Sequence, residues 1–144
     1  MDKSSLTDVL FIRLQTSVLC RRVVREGNTI SLLDWLYGIE GSVFRPFYIV
    51  HEWCCSVERA MVCFEAIQLI APDGEVEADL RMSPFPLGER FWDIIRNYWE
   101  VTDFRPAKTG THEIRTSLVE LDSERVLYQQ TDPLHVLGNK EIVP

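Results

Sequence analysis

The stretch THEIRTSLVELDSERVLY, residues 111–128, decides the fold class. Its first part, 111–121, is rich in β-branched and apolar residues and places Ile114 and Leu118 on one face, which is typical of a strand. A polar turn follows, and a return strand runs over 126–136. The pattern predicts a β-hairpin near the carboxyl end of the chain.

A second hairpin is predicted upstream of the first. Residues 47–57 carry apolar side chains at nearly all odd positions, and this period of two indicates a half-buried strand. Another strand over 61–70 leads into Ala71-Pro72-Asp73-Gly74, where proline presets φ and glycine accepts a positive φ. Residues 75–80 then form the returning strand.

The amino-terminal third mixes extended and helical patterns. Residues 9–19 and 21–25 look extended, and Glu26-Gly27-Asn28 is typical of a turn. Ser31 followed by Asp34 resembles a helix N-cap with an acid three residues later. We therefore expect one or two helical turns over 32–37.

The segment 89–104 is ambiguous. Its apolar side chains are spaced i, i+3, i+4, i+7 and i+8, which is a helical stripe: Phe91, Ile94, Ile95, Tyr98 and Trp99. The same residues are aromatic or β-branched, and such a run can also pair as a strand. The spacing favours a short helix over 89–97, followed by a strand to Phe104.

Together these elements give seven or eight strands, with turns every ten or so residues. This predicts a mostly-β fold, a two-sheet antiparallel sandwich with one or two short helices. At 144 residues the chain has the size of one domain, 1–144. We expect flexible tails over 1–5 and 138–144.

Three turn motifs together resemble those of a known group of proteins. They are Ser31-Leu32-Leu33-Asp34, Ala71-Pro72-Asp73-Gly74 and Gly110-Thr111-His112-Glu113-Ile114. The chain resembles small bacterial single-domain proteins with an immunoglobulin- or transthyretin-like sandwich and no assigned function, over about residues 6–137. The resemblance implies no catalytic residue and favours a binding or structural role.

Charge narrows the possible partners. The formal net charge is −7, and the densest basic group, Arg21, Arg22 and Arg25, lies beside Glu26. This field repels nucleic-acid phosphates and anionic membrane surfaces, so we expect no binding to either. No stretch has the pattern of a signal peptide or a membrane span. These observations predict a cytoplasmic protein.

The cysteines and one histidine are the candidates for reactive chemistry. Cys20, Cys54, Cys55 and Cys63 are expected to be reduced thiols. His51 with cysteines 54, 55 and 63 is the best metal candidate, but adjacent strand residues point to opposite faces and no Cys-x-x-Cys pair is present. Cys54 also lacks the helix N-terminus that would activate a nucleophile. We therefore predict no metal, no cofactor and no catalytic residue.

Aromatic residues of the 82–106 segment are the most informative feature. The chain has four tryptophans, and Trp92 lies off the helical stripe formed by its neighbours, so we expect at least one indole to be partly exposed. Exposed Trp and Tyr favour protein interfaces. The predicted partner-binding residues are Phe85, Trp92, Tyr98, Trp99 and Phe104.

Three functional hypotheses follow. The first is a non-catalytic protein-binding or assembly module, whose simplest version is a homo-oligomer. The second is a small thiol/histidine enzyme or redox protein centred on His51, Cys54 and Cys63. The third is a domain that binds a small ligand between its sheets. An exposed apolar patch would favour the first, and a cleft with convergent polar groups would favour the second or third.

Overall fold

The computed structural model describes residues 8–36, 38–40, 45–102 and 104–138. All regular structure within these ranges is β. The strands are β1 (Val9–Glu26), β2 (Thr29–Leu36), β3 (Gly38–Glu40), β4 (Phe47–Val57), β5 (Met61–Ile70), β6 (Val76–Arg81), β7 (Phe85–Leu87), β8 (Asp93–Val101), β9 (Gly110–Glu120) and β10 (Val126–Leu137). In this part of the chain, no helical segment has the length and apolarity that a membrane crossing requires.

The strands form two sheets. A four-stranded sheet has the order β2-β1-β4-β8, and a six-stranded sheet has the order β3-β10-β9-β5-β6, with β7 paired to β5. Every described pairing is antiparallel except β3 with β10, which is parallel. The prediction of a mostly-β, two-sheet protein is confirmed, whereas the larger sheet is mixed. The predicted tails at 1–5 and 138–144 lie outside the described residues, except for Gly138.

The period-two predictions agree with the strands of the structure. The 47–57 pattern is β4 and the 61–70 pattern is β5, each with the predicted bounds. The carboxyl-terminal hairpin is formed by β9 and β10. Residues 9–25, predicted as two extended pieces, belong to one long strand whose first half pairs with β4 and whose second half pairs with β2.

Both predicted helices are wrong. Residues 32–36 continue β2, which pairs with β1 from Leu19↔Leu36 to Glu26↔Thr29, and Tyr37 lies outside the described residues. Asp34 adopts a left-handed φ of 58° inside this strand and does not start a helix. Ser31 and Asp34 therefore only resemble a capping box in sequence. Residues 32–36 are extended because they pair with β1.

The helix predicted over 89–97 does not form: residues 93–97 belong to β8, and residues 89–92 precede this strand as a loop. The strand predicted to follow as far as Phe104 ends at Val101. β8 pairs with β4 without a register shift, from Phe47↔Val101 to Cys55↔Asp93. Its helical stripe divides between the two faces, because Ile95 and Trp99 contact the core clusters and Ile94 is exposed. The spacing of the apolar residues in this segment suits a helix as well as a strand. Backbone pairing with β4 along nine residues outweighs that spacing and makes the segment a strand.

The core consists of two apolar clusters, and each draws residues from both sheets. The Phe47 cluster contains Ile39, Phe47, Ile49, Ile67, Leu69, Val101, Phe104, Ile114, Leu134 and Val136. The Trp53 cluster contains Leu14, Trp53, Cys55, Val57, Met61, Cys63, Leu87 and Leu118. On β4, β5 and β9, one residue stands between the two clusters, and in each case it is polar.

Candidate functional site

A row of polar side chains separates the two apolar clusters. On β4, His51 lies between Ile49 and Trp53, and on β5, Glu65 lies between Cys63 and Ile67. The neighbouring strands repeat this arrangement at the same level. We call the row the polar belt: Ser17, His51, Glu65, Asn97, Thr116, Gln130 and Asp132. Its central members, His51, Glu65 and Thr116, are completely buried, and the others are half-buried.

Glu65 is the centre of the polar belt. Its carboxylate accepts hydrogen bonds from Nδ1 of His51, from Nδ2 of Asn97 at 2.5 Å and from Nε1 of Trp99 at 3.1 Å. Burial by itself raises the pKa of the Glu65 carboxyl, but the bonds from His51, Asn97 and Trp99 outweigh burial and hold the pKa below its usual range. All three donors belong to the four-stranded sheet, so this one carboxylate ties the two sheets together.

A second part of the polar belt begins at β1. Ser17 donates to Asp132 of β10 at 3.0 Å, and Gln130 donates to the same carboxylate at 3.2 Å. Ser17 faces His51 because the β1–β4 register shifts between Leu14 and Thr16. The extra residue of this β-bulge changes which side chains of β1 point inward. A cavity of about 370 Å³ reaches this end of the belt.

The residues of the thiol/histidine hypothesis lie in different environments. His51 is buried, whereas Cys54 is three residues away on the opposite face of β4 and half-buried. Burial raises the pKa of the Cys55 and Cys63 thiols to about 12, which disfavours the thiolate that a nucleophile requires. All four cysteines are free thiols, and the described residues contain no group of three or more side chains arranged to hold a metal ion.

An aromatic surface lies on the outer face of the four-stranded sheet, opposite to the polar belt. Phe91 is 75% exposed, and Trp92, 47% exposed, contacts both Phe11 of β1 and Phe91 with ring centroids 5.3 and 5.9 Å apart. Ser56 donates to the carbonyl oxygen of Phe91 at 2.8 Å and holds this loop against β4. Ile94, 56% exposed, continues the surface onto β8. We call Phe11, Phe91, Trp92 and Ile94 the Trp92 patch.

The Trp92 patch leads into a groove beside β8. Arg25, Asn28 and Ile30 of the β1–β2 hairpin line one side of it, and β8 from Ile94 to Trp99 lines the other. The groove has a volume of about 510 Å³. Arg96 projects from β8 and pairs with Glu52 at 2.6 Å while remaining 60% exposed. The outer end of β8 therefore combines apolar, aromatic and charged groups.

The structure distributes the five predicted partner-binding residues among different environments. Trp92 is in the Trp92 patch, and Tyr98 lies half-buried along the groove. Trp99 is half-buried against the Phe47 cluster and bonds to Glu65. Phe104 is buried in that same cluster, and Phe85 packs half-buried against the Trp53 cluster. The five therefore do not form one continuous surface.

Phe11, Phe91 and Glu65 are among the residues of these sites that sequence reasoning missed. Phe11 joins the Trp92 patch through a tertiary contact that no local pattern reveals. Phe91 was assigned to the buried stripe of a helix that does not form. Glu65 carried a detectable signal, because it is the one charged residue at an odd, otherwise apolar position of the β5 pattern.

A scan of the chain against models of known protein families gives no match, and comparison with curated protein sequences gives no significant match either.

Proposed function

We propose that this chain is a non-catalytic protein-binding module that assembles with itself, and that the Trp92 patch belongs to its contact surface. The observation that carries the proposal is the exposure of three aromatic rings, of which Trp92 contacts both Phe11 and Phe91. Exposed, clustered aromatic and aliphatic side chains are characteristic of protein interfaces. A homomeric partner is the commonest kind for soluble assemblies.

For the scaffold we infer a β-sandwich, with the sheets packed face to face. Two observations support it: each core cluster takes residues from both sheets, and Glu65 of the larger sheet accepts bonds from His51 and Asn97 of the smaller one. The resemblance to small bacterial domains of unassigned function agrees with a binding role. A cytoplasmic location with reduced thiols is part of the same proposal.

The polar belt has the character of a structural element. A general base must reach a proton on its substrate, yet His51 is completely buried and its Nδ1 is engaged by Glu65. Cys63, the other member of the thiol/histidine hypothesis, is a buried member of the Trp53 cluster. These observations favour the binding module over the enzyme or redox protein.

The test is the replacement Trp92→Ser, with Trp35→Ser as its matched control. Both indoles are exposed, 47% and 58%, but Trp35 lies on β2, outside the Trp92 patch. If Trp92 anchors the interface, its loss should weaken self-association by about 2 kcal/mol, roughly 30-fold in the dissociation constant. Sedimentation velocity over a concentration series measures this, and circular dichroism checks that both variants are folded.

The Trp35→Ser control shows how large a change in the dissociation constant is specific to Trp92. Trp35→Ser should leave the dissociation constant within about threefold of the unchanged chain, a difference of roughly 0.6 kcal/mol. A wild-type chain that stays monomeric at millimolar concentration, or equal dissociation constants for the two variants, would contradict the proposal.

A further inference from the structure

Within the part of the chain that the structure describes, one edge of β8 has no paired strand and faces the groove described above. β8 ends the four-stranded sheet, and among the described residues no strand pairs with its other side. Proteins commonly protect edge strands with proline, lysine, bulges or short length. β8 has nine residues, contains neither proline nor lysine, and runs without a register shift against β4. β6, which ends the six-stranded sheet, is shorter and has a shift in its pairing with β5.

We propose that the partner is a second copy of this chain, and that two β8 edges pair antiparallel about a twofold axis at Tyr98. The two four-stranded sheets would then form one continuous eight-stranded sheet. This inference rests on the self-assembly proposed above and specifies its geometry. In an isologous contact, residue i of one copy meets residue j of the other while j meets i, so every favourable pair away from the axis occurs twice.

The charges of β8 select this register. With Tyr98 opposite Tyr98 of the second copy, Arg96 stands opposite Glu100 of the second copy, and the reverse pair forms at the other end. Arg96 is 60% exposed, and with Nε on Glu52 its terminal N–H groups can still donate. Glu100 is exposed on the same face as Arg96 and lies beside Tyr48 of β4, to which it is hydrogen-bonded. Directly opposite charges stabilise a cross-strand pair, and like charges destabilise it.

The opposite face of β8 agrees with the same register. Ile95 stands opposite Val101 of the second copy, and both residues belong to or contact the apolar clusters. Moving the axis to Asn97 would place Glu100 opposite Ile94. Moving it to Arg96 would place two arginines opposite each other. Only the axis at Tyr98 matches charge with charge and aliphatic with aliphatic side chains.

This geometry also explains the position of the Trp92 patch. Ile94 would stand opposite Thr102 of the second copy, just beyond the end of its β8. The patch would thus flank the paired strands at both ends. The net charge of −7 opposes self-association in general, and the two Arg96–Glu100 pairs offset this repulsion locally.

The first experiment is charge reversal followed by mixing. Arg96→Glu alone places Glu opposite Glu at both ends of the interface, and Glu100→Arg alone places Arg opposite Arg. Each variant should raise the dissociation constant about tenfold or more. An equimolar mixture of the two should restore association to within about threefold of the wild type, because both pairs are again opposite in charge. Sedimentation velocity at low salt provides the readout.

The second experiment does not depend on charge reversal. In a Cys54→Ser background, Tyr98→Cys places two thiols opposite each other at the axis, within reach of a disulfide. Mild oxidation should give a covalent dimer on non-reducing gel electrophoresis. Ile94→Cys in the same background is the control and should stay monomeric, because its two copies would lie at opposite ends of the paired strands.

The outcomes separate this inference from the proposed function. If the wild type associates and Trp92→Ser weakens it, but mixing restores nothing and Tyr98→Cys does not cross-link, self-assembly stands and pairing of the β8 edges is overturned. A wild-type chain that stays monomeric at millimolar concentration overturns both. If mixing Arg96→Glu with Glu100→Arg restores association and Tyr98→Cys forms the covalent dimer, the register centred on Tyr98 is supported.

Discussion

The change Glu65→Gln tests whether the polar belt holds the two sheets together. It keeps the size of the side chain but removes the negative charge and converts one acceptor oxygen into a donor group. Oε1 receives the bond from His51, and Oε2 receives those from Asn97 and Trp99. Whichever way the new amide turns, its N–H₂ group faces at least one of these donors.

The structure sets the size of the expected effect. Hydrogen bonds to a charged group contribute about 1.5–3 kcal/mol each, and a buried donor left without an acceptor costs about 1–3 kcal/mol. Glu65 is completely buried, so water cannot replace the lost interactions. We expect the free energy of unfolding to fall by about 2–4 kcal/mol. Domains of this size are stable by only about 5–15 kcal/mol, so the variant should fold but unfold at clearly lower denaturant.

Urea unfolding followed by tryptophan fluorescence is the assay, and Glu113→Gln is the control. Glu113 undergoes the same chemical change on β9, but its side chain is 51% exposed and lies 3.8 Å from Arg115. Exposed pairs of this kind contribute little, so the control should lose less than about 0.5 kcal/mol. Equal unfolding midpoints for Glu65→Gln and Glu113→Gln would refute the structural role of the polar belt.

Two further predictions concern acid and the thiols. Because hydrogen bonds hold the pKa of Glu65 below 4.5, the stability that Glu65 contributes is complete above pH 4.5 and is lost as the pH falls through the folded value. Unfolding followed by circular dichroism should therefore show a steeper loss of stability in acid for the wild type than for Glu65→Gln. Parallel curves of stability against pH for the two proteins would contradict this prediction. Iodoacetamide added to the native protein should modify Cys54, which is half-buried, before the fully buried Cys20, Cys55 and Cys63, and mass spectrometry of the digested protein measures the order.

The strands were predictable where one face is buried along the whole element. Residues 47–57 alternate so regularly that both the bounds of β4 and the inward direction of His51 follow from the sequence. The partner of His51 does not follow in the same way. Glu65 comes from the other sheet, and such a pairing depends on how the sheets meet, which no local pattern encodes. The bulge in β1 that turns Ser17 toward Asp132 is equally non-local.

The error at β8 has a physical cause that also bears on function. A strand with one buried face alternates, but β8 carries apolar residues on both faces because Ile94 belongs to the Trp92 patch while Ile95 contacts the core. The exposed apolar positions filled the gaps in the alternation and produced a helical spacing. The exposed apolar side chains that obscured the period-two pattern are thus the same side chains on which the proposed contact surface rests.

An edge strand that is ordered before a partner arrives loses less entropy on pairing, although it has only one neighbour in its sheet. In this chain β8 is bonded to β4 along one side, and two of its inward side chains, Asn97 and Trp99, are held by Glu65 of the other sheet. These cross-sheet bonds replace part of the restraint that a second neighbouring strand would supply. Order present before binding reduces the entropy lost on association. Glu65, at the completely buried centre of the polar belt, therefore supports the proposed assembly by fixing the strand that carries Arg96 and Glu100.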